Sequence, residues 1–165
     1  MTSQTDYHPV PASSDEDRDL VLTRLYDIPR EKLYRAWTDP KLLVRWFAPA
    51  PWTTPEAEVD VRPGGSSRVV MRSPEGVDYP NHGVYLEVVE NEKIVSTDAY
   101  SKAWQPSEKP FMTLILTFEE EDGKTRYTAR ARHWTVEDRV AHEKMGFHEG
   151  WGQCAEQMAK VAAAL

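Results

Sequence analysis

The 165-residue chain has a single cysteine, Cys154, so no internal disulfide can form, which fits a reducing compartment. Basic residues are also in short supply: 20 Lys and Arg stand against 27 Asp and Glu. A net charge of −7 opposes the phosphate backbone that a nucleic-acid partner would present, so no nucleic acid is expected. No apolar run approaches the roughly 20 residues that span a bilayer, and the opening MTSQTDYHPVPASSDEDRD has no apolar signal-peptide core. These absences point to a soluble, cytoplasmic protein with no membrane role.

Motifs of catalysis and metal binding are equally scarce. No serine stands in a Gly-x-Ser-x-Gly elbow, and Cys154 has no histidine at helical spacing, so nucleophilic catalysis has no visible constellation. HEKMG opens like a zinc-protease helix but carries Gly146 where the second histidine is required. His142 and His148 lie six apart and do not share a helix face, so no metal is expected. GFHEGWG lacks the lysine of a phosphate loop and does not directly follow a strand, and nothing else calls for a cofactor.

Glycine numbers only eight, yet Gly146, Gly150 and Gly152 fall within seven residues near the C-terminus. Around them Phe147, Trp151, Cys154, Met158, Val161 and Leu165 recur at steps of three and four, which lays one apolar stripe along a helix and places Cys154 in the core. A glycine inside a helix costs about 1 kcal/mol relative to alanine. The cluster therefore marks a bend or close packing, or space kept free for a ligand. Short alternating strands between about 55 and 133 can curl around this helix and cover its stripe.

Residues 1–18 are polar and read as a flexible tail, with 19–165 forming one domain. DLVLTRLYD reads as a strand, and Pro29 opens a short helix to about residue 38 bearing Leu33, Ala36 and Trp37. Asp39-Pro40 caps a second short helix that Pro49 and Pro51 terminate. In 56–62 Ala57, Val59 and Val61 alternate with acidic residues that can pair with Arg68 and Arg72 across the turn at Pro63-Gly64-Gly65. In 82–89 His82, Val84, Leu86 and Val88 are assigned inward; the sidedness of 94–101 is open, and 102–110 reads as a loop. Met112, Leu114, Leu116 and Phe118 share one face of the next strand, and Asp122-Gly123 turns it into a last strand facing Tyr127, Ala129, Ala131 and His133 inward. The two alanines leave room beneath the long helix and so hint at a cavity. Thr135 can cap a further helical segment starting near Val136.

DLVLTRLYDIPREKLYRAWTDPKLLVRWFAP resembles the opening of bacterial proteins similar to the activator of Hsp90 ATPase, within the START-like (helix-grip, SRPBCC) superfamily. VRPGGSSRVVM resembles that family's second hairpin, NHGVYLEVVENEKIVST its middle strands, and MGFHEGWGQCAEQMA the start of its long helix. The resemblance runs in order over about residues 19–165. It implies an α+β fold of the START/Bet v 1-like kind: a curved antiparallel sheet of six to seven strands wrapped around a long C-terminal helix, with two short helices after strand 1. It does not imply one activity, because relatives include ligand carriers, cyclase-like enzymes and cochaperones.

The expected function is binding of a small hydrophobic or aromatic ligand between the sheet and the C-terminal helix. The alternatives are a cyclase- or aromatase-like enzyme using that cavity, or a partner module for an Hsp90-like chaperone. Trp46, Phe47, Trp134 and Trp151 are candidates for the apolar wall, with Met71 and Met112 from the strands. His82, Tyr85, His133 and His148 are candidates for its few polar groups; no residue is singled out as catalytic. A homodimer through an outer sheet face or the tail is compatible with the sequence.

Overall fold

The computed structural model describes residues 15–165; residues 1–14 of the expected flexible tail 1–18 lie outside them, and its last four, Asp15–Arg18, form a short helix. Seven strands form one antiparallel sheet: β1 (Asp19–Tyr26), β2 (Thr53–Val59), β3 (Ser66–Arg72), β4 (Asp78–Val89), β5 (Lys93–Thr97), β8 (Met112–Glu121) and β9 (Lys124–His133). Between β5 and β8 the small strands β6 (Tyr100–Lys102) and β7 (Gln105–Pro106) pair with each other, so the stretch expected to be a loop contains a hairpin. The helices are α1 (Asp15–Arg18), α2 (Arg30–Thr38), α3 (Pro40–Leu43), α4 (Val136–Lys144) and α5 (Phe147–Ala163).

Strand order is β1-β9-β8-β5-β4-β3-β2, which puts the first two strands of the chain on opposite edges. The chain from β1 to β2 must therefore cross the whole sheet, and α2 and α3 are that crossing. Two local signals shape it. Asp39 accepts a hydrogen bond from the Lys41 amide and so caps α3, where Pro40 occupies a first-turn position that needs no donor. Leu33, Ala36, Leu42, Leu43 and Trp46 are then buried against the sheet.

The inward face of β8 is as the alternation requires, with Leu116 and Phe118 each 1% exposed. On β9 Tyr127, Ala129, Ala131 and His133 are all buried. Asp122 (φ 52°) and Gly123 (φ 80°) both adopt the left-handed conformation of a tight two-residue hairpin between these strands. Asp19, whose side chain is almost fully buried, ties β1 to β9: Arg132 and Arg130 donate to its carboxylate at 2.9–3.1 Å. Burial would raise the Asp19 pKa, but these hydrogen bonds and charges outweigh it and hold the group below its usual value. The expected charge ladder on the outer hairpin is present, with Arg68 Nη1 2.7 Å from Glu56.

Three expectations need correction. The first concerns β2, which runs Thr53–Val59 rather than 56–62, because Asp60–Arg62 curl into the turn, the Arg62 amide donating to the Asp60 carbonyl. In β4 a bulge between Tyr85 and Glu87 switches the inward face: Tyr85 joins the core, Leu86 is 50% exposed, and Val88 packs inward beyond the bulge. His82, beyond Gly83 on the same strand, is exposed. Finally, Gly146 lies outside the long helix, at its N-cap, with φ 98°; it is the joint between α4 and α5.

Glycines 146 and 150 consequently have opposite requirements. Gly150 → Ala adds a methyl that meets nothing within 4 Å, so stability should rise by about 0.5–1 kcal/mol in urea denaturation. Gly146 → Ala forces a side chain into the left-handed region and should cost about 1–2 kcal/mol. A loss in Gly150 → Ala would show that the space beside it is in use.

Candidate functional site

The concave side of the sheet encloses a cavity of about 340 Å³. Its roof is Trp37 of α2, Leu43 of α3 and Phe47 just beyond; its floor includes Tyr85, Ile94, Ser96, Leu114 and Leu116. Asn81, His82, Asp98, Ser107 and Lys109 give one end a polar rim. None of the residues lining it belongs to α5, so the cavity sits beneath α2 and α3 rather than between the sheet and the C-terminal helix. A filled core beneath α5 explains the displacement. Ala129 of β9 shares a core cluster with Ala155, Ala159 and Ala162 of α5, and Ala131 clusters with Phe147, all of them buried. Tyr127, Phe118 and Met158 are buried in the same core, and this packing leaves no room beneath the helix.

The long helix nevertheless holds the roof. Gln157 Nε2 donates to the carbonyls of Trp46 (3.0 Å) and Ala48 (2.8 Å), while its Oε1 accepts from the Ala50 amide. Gln153 donates to the Ala50 carbonyl, and the Cys154 thiol points to the carbonyl of Phe47. Trp37 is fixed by its Nε1–H, which donates to the Tyr127 hydroxyl at 3.2 Å, and by edge-on contact with Trp46.

Several polar groups around the cavity are already engaged. Burial pushes the Tyr85 phenol up to about 12, with a hydrogen bond to Ser67 partly opposing it. Asp98 Oδ1 accepts the amides of Phe111 (2.8 Å) and Met112 (3.1 Å), yet burial still raises its pKa. Thr97 accepts from Thr113 and from the Ala99 amide. By contrast, the buried Ser107 Oγ has no hydrogen-bond partner.

Of the ten residues expected at the site, Phe47, His82, Tyr85 and Met112 line the cavity. Trp46 lies behind the roof, 3% exposed, its Nε1–H donating to the Ala36 carbonyl. Met71 is half-buried on β3 outside the cavity, Trp134 is 59% exposed, and His148 sits on the surface 3.1 Å from Glu143. Trp151 packs on Phe147. Sequence reasoning missed Trp37, Leu43, Asp98, Ser107 and Lys109. The apolar pattern of α2 and α3 could have supplied the first two; the others lie in or beside a segment with no periodic signal.

His133 points away from the cavity, into a second cluster. Its Nδ1 lies 2.9 Å from the Arg18 carbonyl, which can only accept, so Nδ1 carries the hydrogen. Its Nε2 must then accept, and His142 Nδ1–H donates to it at 2.7 Å. Phe111 and Phe147 surround this pair, whose bonds tie α1 and α4 to the end of β9. Burial first, and the neighbouring His133 second, lower the His142 pKa to about 4. Among the described residues no three His, Cys, Asp or Glu side chains converge to hold a metal ion, and no helix is long and apolar enough to cross a membrane.

A family model described as activator of Hsp90 ATPase homolog 1-like protein matches residues 27–163. Protein NE0264 from Nitrosomonas europaea is similar at 39% identity, over 90% of this chain and 96% of that one, with a TM-score of 0.86. Protein Ms6760 from Mycobacterium smegmatis is 25% identical over 88% of this chain and 91% of that one, with a TM-score of 0.72. A protein from Arthrobacter aurescens, 19% identical over 93% and 90% of the two chains, shares the fold with a TM-score of 0.77. No curated protein matches the chain.

The histidine pair generates a pH dependence. His142 takes up a proton near pH 6.5 when unfolded but only near 4 when folded, so between these values the unfolded state binds more protons. Its contribution is complete above about pH 6.5 and is lost as pH falls toward 4. Partial exposure screens the effect to about 1–2 kcal/mol. Urea midpoints at pH 7.5 and 4.5 should fall less in His142 → Asn, whose amide can still donate to His133. An equal fall in both proteins would place the pH dependence elsewhere.

Proposed function

The chain belongs to the activator of Hsp90 ATPase homolog 1-like family, and we propose that within this fold it binds a small hydrophobic or aromatic molecule in the cavity beneath α2 and α3. The observation that carries the reading is the cavity itself: about 340 Å³, walled by Trp37, Phe47, Leu43 and Leu116, with polar groups gathered at one end. That volume is at the lower end of the ~300–1,000 Å³ typical of small-molecule sites, and an apolar wall with a few placed polar groups is their usual make-up.

A cyclase- or aromatase-like activity in the same cavity has less support. Catalysis by proton transfer needs an acid or base poised near neutrality; burial pushes the Tyr85 phenol away from that range, to about 12, and moves Asp98 toward it. A chaperone-partner role draws on the family description and on the exposed Trp134 and Met145 at either end of α4. Isothermal titration with the cognate Hsp90 distinguishes it from small-molecule binding.

Ser96 of β5 shares the inward face with Ile94 and pairs with Tyr85 and Leu114, so Ser96 → Phe places a ring inside the cavity on a residue type that strands favour. Native mass spectrometry after incubation with an extract of lipids and aromatic metabolites should show a one-to-one adduct on the wild type. The adduct should be lost on denaturation and be at least about tenfold weaker in Ser96 → Phe. Adducts of equal strength on both folded proteins, or none on either, would remove the cavity as the binding site.

A further inference from the structure

We infer that the occupant of the cavity is an uncharged molecule the size of two fused rings, whose hydroxyl or carbonyl is read by the Ser96 hydroxyl. This rests on the proposed binding cavity and adds the chemical class of its ligand and the residue that selects it. Most polar side chains of the lining are already engaged. The Trp37 indole donates to Tyr127, Tyr85 pairs with Ser67, and Thr97 bonds to Thr113 and the Ala99 amide. Asn81 Nδ2 donates to the carbonyls of Val69 and Tyr79, and Ser107 Oγ is sealed by its burial. Ser96 is different. It lines the cavity, its hydroxyl makes no hydrogen bond among the described residues, and its oxygen, unlike Ser107 Oγ, stays accessible. A hydroxyl can both donate and accept. Once a ligand displaces water from around it, leaving it unpaired is costly, so the ligand that brings a partner is the one selected.

Position and charge narrow the class further. On β5 Ser96 pairs with Tyr85 and Leu114, while Ile94, two residues along on the same face, pairs with Leu116 and is 2% exposed. Asp98, two residues the other way, belongs to the rim. Ser96 therefore stands one step inside the rim, where the wall turns apolar. The rim carries Asp98 and Lys109, opposite in sign, and the groove outside it carries Glu58 and Asp60 together with Arg68 and Lys102. Such a mixture favours neither an anion nor a cation. An ion carried past it would exchange its hydration for a single hydroxyl, which an uncharged molecule does not have to do. Volume then bounds the size. A dry cavity of ~150 Å³ holds benzene, so at the same filling this one takes roughly fourteen non-hydrogen atoms. Two fused rings with a substituent fit beneath Trp37 and Phe47, and a steroid exceeds the space.

The test is equilibrium dialysis at neutral pH of probes that share one ring system: 2-naphthol, 2-methylnaphthalene, 2-naphthoate and 2-naphthylmethylamine. Each is measured on the wild type, Ser96 → Ala and Ser96 → Phe. The wild type should hold 2-naphthol about fivefold more tightly than its methyl isostere and at least about tenfold more tightly than either ion. Ser96 → Ala should erase the preference for the hydroxyl and hold 2-methylnaphthalene at least as well as the wild type does. Estradiol, a phenol on a steroid frame, should bind the wild type at least about tenfold more weakly than 2-naphthol. A hydroxyl preference that survives in Ser96 → Ala overturns the role of Ser96. An ion held as tightly as 2-naphthol overturns the uncharged class, and estradiol held as tightly overturns the size limit. In each of these cases the cavity reading stands, provided that Ser96 → Phe loses the probe. Ser96 → Phe binding the probes as the wild type does, or no probe binding the wild type, overturns both readings.

Discussion

The packed core beneath α5 sets the layout of the molecule. Ala129 and Ala131 are fully buried on the strand, and Gly152, Ala155, Ala159 and Ala162 are buried on the helix. Tyr127, Phe118 and Met158 fill the space around them, so the helix covers the β1-β9-β8 half of the sheet and leaves no void there. One helix cannot also cover β5, β4 and β3. That half falls to the chain between β1 and β2, which has to travel from one edge of the sheet to the other. Its two short helices bring Leu43, Trp37 and Phe47 over the far strands, and their side chains leave the remaining volume unfilled. The cavity is thus a consequence of topology: the close fit on one side displaces the unfilled space to the other.

A roof made of helices of nine and four residues has little stability of its own. The carbonyls that follow α3 have no helix to continue into, and α5 answers them from outside the cavity. Gln157 alone engages Trp46, Ala48 and Ala50, and Gln153 adds a second bond to Ala50. The long helix therefore acts on the cavity through the backbone of the roof, without contributing a side chain to its lining. The two halves of the domain are thus held by different forces, the roof by hydrogen bonds from α5 and the space beneath α5 by apolar packing.

Much of this organisation was legible in the chain. Local rules of fixed spacing were met: the Asp39 and Thr135 caps, the Asp122-Gly123 turn, and the inward faces of β8 and β9. Where a feature depends on a partner distant in sequence, the reading failed in a particular way. An alanine facing inward signals either empty space or close approach, and only the residue opposite decides; here Ala155 and its neighbours decide for contact. The bulge in β4 has no local signal beyond the chain's own alternation, yet one inserted residue exchanged Leu86 for Tyr85 in the core. His133 is inward as its alternation requires, but its direction within the core depends on Arg18, just before the neighbouring β1, and on His142 of α4. The family resemblance carried the fold because it reads the whole order of elements together.

Burial acts on every titratable group near the core in the same sense, toward its neutral form. The Tyr85 phenol is raised to about 12, the Cys154 thiol to about 11, and His142 is lowered to about 4. A site that moves protons arranges the reverse, with neighbouring groups whose opposed environments bring one of them near the working pH. Here the phenol lies in the cavity, the thiol faces the back of the roof, and the histidine pair is built into the joint between α1, α4 and β9. The phenol, the thiol and His142 are thereby held in their neutral forms near neutral pH. Within the cavity wall the same effect raises Asp98 as well as Tyr85 toward the neutral form, so burial leaves the lining less charged than its residue types suggest.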